Sequence, residues 1–161
     1  MSMCRRRGRG VGCVRRRFEV ERAGAWHADA LAAVHRAAFP PGAQWGADAM
    51  ALQLGLPGVF GWIDAAGGML LARVAGGEAE ILTLAVTPEA RGAGLGGRLL
   101  RAAMAEAVDR GARTMVLEVG EGNEVGRRLY SGAGFVVVGR RRNYYGGGED
   151  ALVMRAGPAD L

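Results

Sequence analysis

The chain has 161 residues, half of them hydrophobic, which suits one globular domain with a buried core. No run approaches about 18 uninterrupted apolar residues, so no membrane span is expected. The net charge of +5 is unevenly placed: seven of the 21 arginines lie in residues 1–17, which hold no acid, leaving 14 arginines against 16 acids elsewhere. The basic balance therefore belongs to one end of the chain. That segment is expected to be a disordered extension or an upstream start of translation. A basic arm that touches nucleic acid is the alternative.

Residues 1–17 are read as a tail, 18–156 as the domain and 157–161 as a second, short tail. Both cysteines, Cys4 and Cys13, fall in the first tail and form no CxxC pattern. Neither a disulfide framework nor a thiolate zinc site is expected, and a reducing cytoplasm fits. His27 and His35 stand eight apart on one predicted helix and read as ordinary helix residues. No metal is implied.

In chain order, Phe18 to Ala23 alternates like a first strand. Trp26 to Phe39 reads as a helix with Leu31, Val34 and Ala38 on one face, ended by Pro40 and Pro41. A second helix follows from Gly46 and closes at Pro57-Gly58. Val59–Asp64, Met69–Val74 and Glu78–Val86 read as a meander of strands joined by glycine-rich turns. Leu95 to Arg110 is a strongly amphipathic helix, with Leu95, Leu99, Leu100, Ala103, Met104 and Ala107 on its apolar face. Thr114 to Val119 reads as a buried strand, and Asn123 to Ser131 as a short helix. "FVVVGRRRNYY" and "EDALVMRA" close the chain as two strands around Gly146-Gly147-Gly148. The order predicts a mixed α/β domain with no internal repeat.

The turn "RGAGLGG", Arg91 to Gly97, hands a strand over to the long helix. Backbone N–H groups at a helix start are unpaired, and the helix dipole adds positive character there. Glycines let the main chain curl around an anion, so this turn is a predicted phosphate cradle. Arg91 or Arg98 can add a charge-assisted contact. A P-loop is excluded because it needs Gly-Lys-Ser/Thr and the chain has no lysine. Gly92, Gly94 and Gly97 also match the dinucleotide pattern G-x-G-x-x-G. The match is disfavoured because Thr87 to Arg91, including Pro88, separates the strand from the first glycine. Glu118 stands out as an acid in an apolar strand, where burial would strengthen it as a base. Tyr130 lies on the helix that follows.

Read as Arg91-Gly92-Ala93-Gly94-Leu95-Gly96, the turn resembles the pyrophosphate-binding R-x-x-G-x-G motif of the GNAT acetyltransferases. "ILTLAV", "RGAGLGGRLL", "LEV", "N", "LY", "GF", "RRNYY" and "EDA" then follow in order. Together they resemble the ribosomal-protein-alanine N-acetyltransferase branch. The resemblance spans roughly Phe18 to Arg155 and implies the GNAT fold, a mixed central sheet of about seven strands with flanking helices. It implies acetyl-CoA as cosubstrate and a protein N-terminal α-amine as acceptor, in the cytoplasm. Small-molecule amines, lysine side chains and a non-catalytic acetyl-CoA-binding module are the alternatives.

The resemblance also implies roles for individual residues. Glu118 would be the general base and Tyr130 the general acid. Leu84, Ala85 and Val86 would bond the pantetheine arm through their main chain, with Asn123 beside it. Arg91, Gly92, Ala93, Gly94, Leu95, Gly96 and Gly97 would hold the pyrophosphate. Tyr144 and Tyr145 would lie over the acceptor. Two features depart from the branch: "PPGAQWGAD" displaces Trp45 by an insertion, and the hairpin tip is a bare run of three glycines. Both border the expected acceptor groove.

Overall fold

The computed structural model describes residues 19–161. The arginine-rich segment, Cys4, Cys13 and Phe18 lie outside the described residues. Eleven helices and strands follow in order: β1 (Glu21–Ala23), α1 (Ala28–Ala38), α2 (Ala47–Gly55), β2 (Val59–Asp64), β3 (Gly68–Ala75), β4 (Glu78–Val86), α3 (Leu95–Asp109), β5 (Thr114–Gly120), α4 (Glu124–Gly132), β6 (Val136–Tyr145) and β7 (Glu149–Ala156). Short 3₁₀ turns join several of them. One such turn, Ala25–His27, takes the first residues of the predicted first helix. That helix ends because Phe39 precedes Pro40: the proline ring pushes Phe39 out of helical space, to φ −116° and ψ 151°.

The strands form one seven-stranded sheet in the order β1-β2-β3-β4-β5-β7-β6. All neighbours are antiparallel except β4 and β5, which α3 joins in a parallel crossover. Side-chain alternation then builds two layers of core. Leu70 and Ala72 of β3 face α3, where Leu95, Leu99, Leu100, Ala103, Met104 and Ala107 are all buried. Met69 and Leu71 face the other way, onto Leu31, Ala32 and Met50 of α1 and α2. The apolar face predicted for the long helix is the face it buries.

One irregularity positions the site. Parallel pairing of β4 with β5 is confined to Glu78–Glu80 against Thr114–Val116. Just beyond it, the register against β3 runs from Ala72↔Ile81 to Leu71↔Thr83, which leaves Leu82 as the extra residue of a bulge. A bulge bends its strand and increases the local twist. From here β4 continues with β3 up to Val86, and β5 continues with β7 up to Gly120. The sheet therefore opens in a V between them, and the peptide groups of β4 that face the gap have no strand partner.

The expectation of a buried β5 holds for one face only. Met115, Leu117 and Val119 are buried, while Thr114, Val116, Glu118 and Gly120 alternate onto the partly exposed face. Glu118 is thus not sealed among apolar side chains; strand periodicity turns it to the opposite side.

Candidate active site

A cavity of about 580 Å³ lies at the open end of the V. Its walls come from four elements. The end of β4 contributes Leu84, Ala85 and Val86; the turn and first residues of α3 contribute Arg91, Gly92, Gly94, Leu95, Gly96 and Gly97. From α4 come Val125, Leu129 and Tyr130, with Asn123 at its start. Ala38 and Phe39, at the end of α1, close the remaining side.

The glycine turn has the geometry its sequence predicts. Gly92 and Gly94 both take left-handed backbone, with φ 78° and φ 84°. Gly94 caps α3 with no side-chain partner for the first turn, and the N–H of Arg98 is the first to bond back, to the Gly94 carbonyl at 3.2 Å. The N–H groups of Leu95, Gly96 and Gly97 therefore lack helical acceptors. At Gly96 a Cβ would stand 3.3 Å from Leu129 Cδ2, so glycine lets α3 approach α4 at the cavity wall. Ala93 is exposed and does not line the cavity. The Arg91 side chain folds back, its Nε donating to the Val86 carbonyl at 3.1 Å. That bond ties the turn to the end of β4.

Asn123 caps α4, its Oδ1 accepting the N–H of Gly126 at 2.9 Å. Tyr130 is buried near the other end of that helix, edge-on to Phe135 at 5.9 Å. Burial, with the nearby Tyr145 phenol, pushes the Tyr130 hydroxyl up to about 12. It therefore keeps its proton throughout the physiological range.

Glu118, on β5, is not among the residues that line the cavity. Its side chain is 22% exposed, and Oε1 lies 2.5 Å from Arg141 Nε. The Tyr144 hydroxyl donates to the same carboxylate, and that bond holds the phenol above its ordinary pKa. Burial and then the charge of Glu118 do the same to Tyr145. The two tyrosines meet edge to face at 5.2 Å. Glu118, Tyr144 and Tyr145, from β5 and β6, are thus electrostatic neighbours, and Tyr130 of α4 joins them through Tyr145.

Sequence reading missed what brings the tyrosines here. Residues 141 and 144 would face opposite sides of a regular strand. The register between β6 and β7 slips between Arg141 and Tyr145, and Asn143 takes φ 50° inside that slip. Asp150 holds the kink, accepting the Asn143 N–H at 3.0 Å through one oxygen and Arg140 at 3.1 Å through the other. Arg140 also grips Glu121 at 2.6 Å. The available signal was an asparagine inside a strand, a residue type that tolerates left-handed backbone.

Among the described residues no group of three or more His, Cys, Asp or Glu is placed to hold a metal ion. No described helix is long and apolar enough to cross a membrane.

Comparison with known proteins agrees with this geometry. The model of the acetyltransferase (GNAT) family matches residues 30–135. The chain belongs to the GNAT acetyltransferase family. Its GNAT relatives include the ribosomal protein bS18-alanine N-acetyltransferase of Escherichia coli (strain K12), 40% identical over 80 residues, which are 48% of this chain and 54% of that protein. The Haemophilus influenzae enzyme of the same name is 40% identical over 81 residues, 48% of this chain and 55% of that protein. The chain thus spans about half the length of the curated relatives it matches. Among solved structures, the ribosomal-protein-S18-alanine N-acetyltransferase of E. coli superposes with a TM-score of 0.76 at 27% identity, covering 88% of this chain and 94% of that one. Arabidopsis thaliana NAA60 in complex with acetyl-CoA shares the GNAT fold, with a TM-score of 0.76 at 17% identity over 88% of this chain and 98% of that one.

Proposed function

We propose that this chain transfers the acetyl group of acetyl-CoA to the α-amine of a protein N-terminus that begins with alanine, such as that of a small-subunit ribosomal protein. The observation that carries the reading is the V between β4 and β5. One cavity there joins unpaired helix N–H groups, an apolar channel and a protonated phenol, and Tyr145 links that phenol electrostatically to the Glu118 carboxylate. The names of the relatives supply the acceptor.

The residues present fit acetyl-CoA. Leu95, Gly96 and Gly97 would offer N–H groups to the pyrophosphate, with the helix dipole behind them. Leu84, Val86 and Leu129 give a channel suited to the pantetheine arm, and Asn123 stands beside it. The unpaired peptide groups of β4 would bond that arm. When bound, acetyl-CoA supplies an activated acetyl thioester.

Glu118 would take the proton from the acceptor nitrogen. An α-amine has a reference pKa of about 7.7–8.0 against about 10.4 for lysine, so an appreciable share is already neutral near pH 7. Such an acceptor asks little of a single carboxylate. Tyr130 would face the departing sulfur. Its proton is held at a pKa of about 12, above the range of a free thiol near 8.5, so full transfer is uphill on resting values. Tyr130 is therefore best read as a hydrogen-bond donor that stabilises the thiolate. Tyr144 and Tyr145 would flank the acceptor. Acetyl-CoA and ribosomal proteins meet in the cytoplasm, where we place the reaction.

The test is a mass-spectrometric panel with acetyl-CoA: an alanine-initiated peptide, a lysine peptide with a blocked terminus, and polyamines. One acetyl group added to the alanine peptide alone is expected. Acetylation of the lysine peptide or polyamines alone would transfer the assignment to those acceptors. Glu118→Gln should slow transfer while leaving acetyl-CoA binding in place, and full activity in that variant would remove Glu118 as base.

A further inference from the structure

We infer that Arg141 is an internal stand-in for the acceptor's ammonium, occupying the Glu118 carboxylate in the resting enzyme and giving way when the α-amine arrives. The inference rests on the reading of Glu118 as the group that meets the acceptor nitrogen.

Three observations support it. First, Arg141 Nε sits 2.5 Å from Glu118 Oε1, a site that the proposed reaction requires to be open to an amine. Second, the two partners differ in freedom: the Arg141 side chain is 61% exposed and that of Glu118 22%. Arg141 can swing into water without desolvating anything, while Glu118 stays on the strand. Third, Arg141 also borders the Tyr144 ring, its guanidinium carbon 5.6 Å from the ring centre, so a short swing off the carboxylate need not leave the aromatic face. A cation over an aromatic face is attracted by the ring quadrupole.

The kink at Asn143 gives this arrangement a purpose. It turns Arg141 and Tyr144, three apart in β6, onto one carboxylate. Arg140 makes the contrast. It is tied to Glu121 and Asp150 and fixes the hairpin, whereas Arg141 makes only the contact with Glu118 and the approach to Tyr144. Arg141 is thus a positioning residue. It keeps the carboxylate oriented, and it makes the acceptor compete with an internal cation. A blocked terminus has no charge with which to compete, so the ion pair re-forms once the amine is acetylated.

The experiment measures peptide affinity by calorimetry with CoA present and no acetyl donor, so no chemistry occurs. The probes are a short alanine-initiated peptide with otherwise uncharged residues and the same peptide N-acetylated. Arg141→Met should bind the free-amine peptide roughly two- to fivefold more tightly, as expected for removing a partly exposed ion pair, and should bind the acetylated peptide unchanged. Arg141→Lys should restore wild-type affinity. Equal or weaker binding of the free-amine peptide by Arg141→Met overturns the inference, as does an equal gain for both peptides. Arg141→Gln repeats the test should the methionine variant fail to fold. The Glu118→Gln rate reads the base assignment separately: full activity there sinks the base reading, whereas a missing affinity gain in Arg141→Met sinks the stand-in alone.

Discussion

His35 Nε2 lies 3.1 Å from Thr83 Oγ1, and His35 Nδ1 accepts the backbone N–H of Trp45 at 3.2 Å. Because Nδ1 accepts, the proton of the neutral ring sits on Nε2, which donates to the threonine hydroxyl. The ring is also stacked between Phe39 at 4.2 Å and Trp45 at 5.5 Å. One buried side chain thus joins α1, the loop carrying the displaced tryptophan, and the stretch of β4 just past its bulge. That loop and strand border the cavity through Phe39 and Leu84.

This arrangement predicts a pH-dependent stability. Burial lowers the His35 pKa below 6.5, so the unfolded chain takes up a proton before the folded one does. The stabilisation is complete above pH 6.5 and is lost as pH falls from there through the folded value. Melting temperature should therefore drop between pH 7.5 and about pH 5. His35→Gln should melt lower than wild type at pH 7.5 and show a flatter dependence below it. A wild-type melting temperature that is level across that window would contradict the burial argument.

Tyr130→Phe isolates the phenolic proton. The ring keeps its packing on Phe135 and loses only the hydroxyl. We expect kcat to fall by about a hundredfold, with KM for both substrates within a few-fold of wild type. Since the hydroxyl titrates at about 12, it produces no alkaline limb below pH 10. Any limb seen between pH 8 and 10 should persist in the variant. Its disappearance would mean that Tyr130 ionises within the working range, against the burial found here.

The fold was legible because its signals are local and strong. The apolar face of α3 repeats at helical spacing, and β2 and β4 are bounded by turns that leave little choice of register. The glycine turn was legible for a related reason: left-handed backbone at Gly92 and Gly94 demands that residue type. Glu118 was found, but its setting was misjudged. A strand of mostly apolar residues reads as buried on both faces, and only the sheet shows that the acid side of β5 is its partly exposed face. Arg141 was missed because its partner is 23 positions away and depends on a slip in register at Asn143. Pairings created by irregular backbone leave no period in the sequence to read.

Glu106 tests a different part of the molecule. It lies on α3 with its side chain 10% exposed, and Oε1 meets Arg22 at 2.9 Å and Arg110 at 2.7 Å. The other oxygen, Oε2, is buried with no hydrogen-bond partner. Both arginines can hydrate once released, being 57% and 30% exposed. Glu106→Gln should therefore cost only about 1–2 kcal/mol in urea unfolding, well under the penalty for breaking a fully buried pair. Glu106→Met should be closer to neutral, because it removes the unpaired oxygen as well as the charge. A methionine variant less stable than the glutamine one would show that an amide's hydrogen bonds to the two arginines outweigh the desolvation of its polar atoms.

Two glycine substitutions separate backbone geometry from space. A Cβ at Gly94 or at Gly132 would meet nothing within 4 Å. Gly94 sits at φ 84°, whereas Gly132 is the last residue of α4 and has no left-handed φ. Gly94→Ala should thus destabilise by about 1 kcal/mol through backbone strain alone, while Gly132→Ala should stabilise by up to about 1 kcal/mol by restricting the unfolded chain. Their effects on the cofactor should differ as well. Gly94→Ala shifts the capping residue that aims the first N–H groups of α3, so affinity for CoA should fall by at least several-fold. Gly132→Ala, far from the cradle, should leave it unchanged. Calorimetric titration of CoA into both variants, beside urea unfolding, makes the comparison. Equal CoA affinity in Gly94→Ala and wild type would mean that the first turn of α3 does not hold the pyrophosphate.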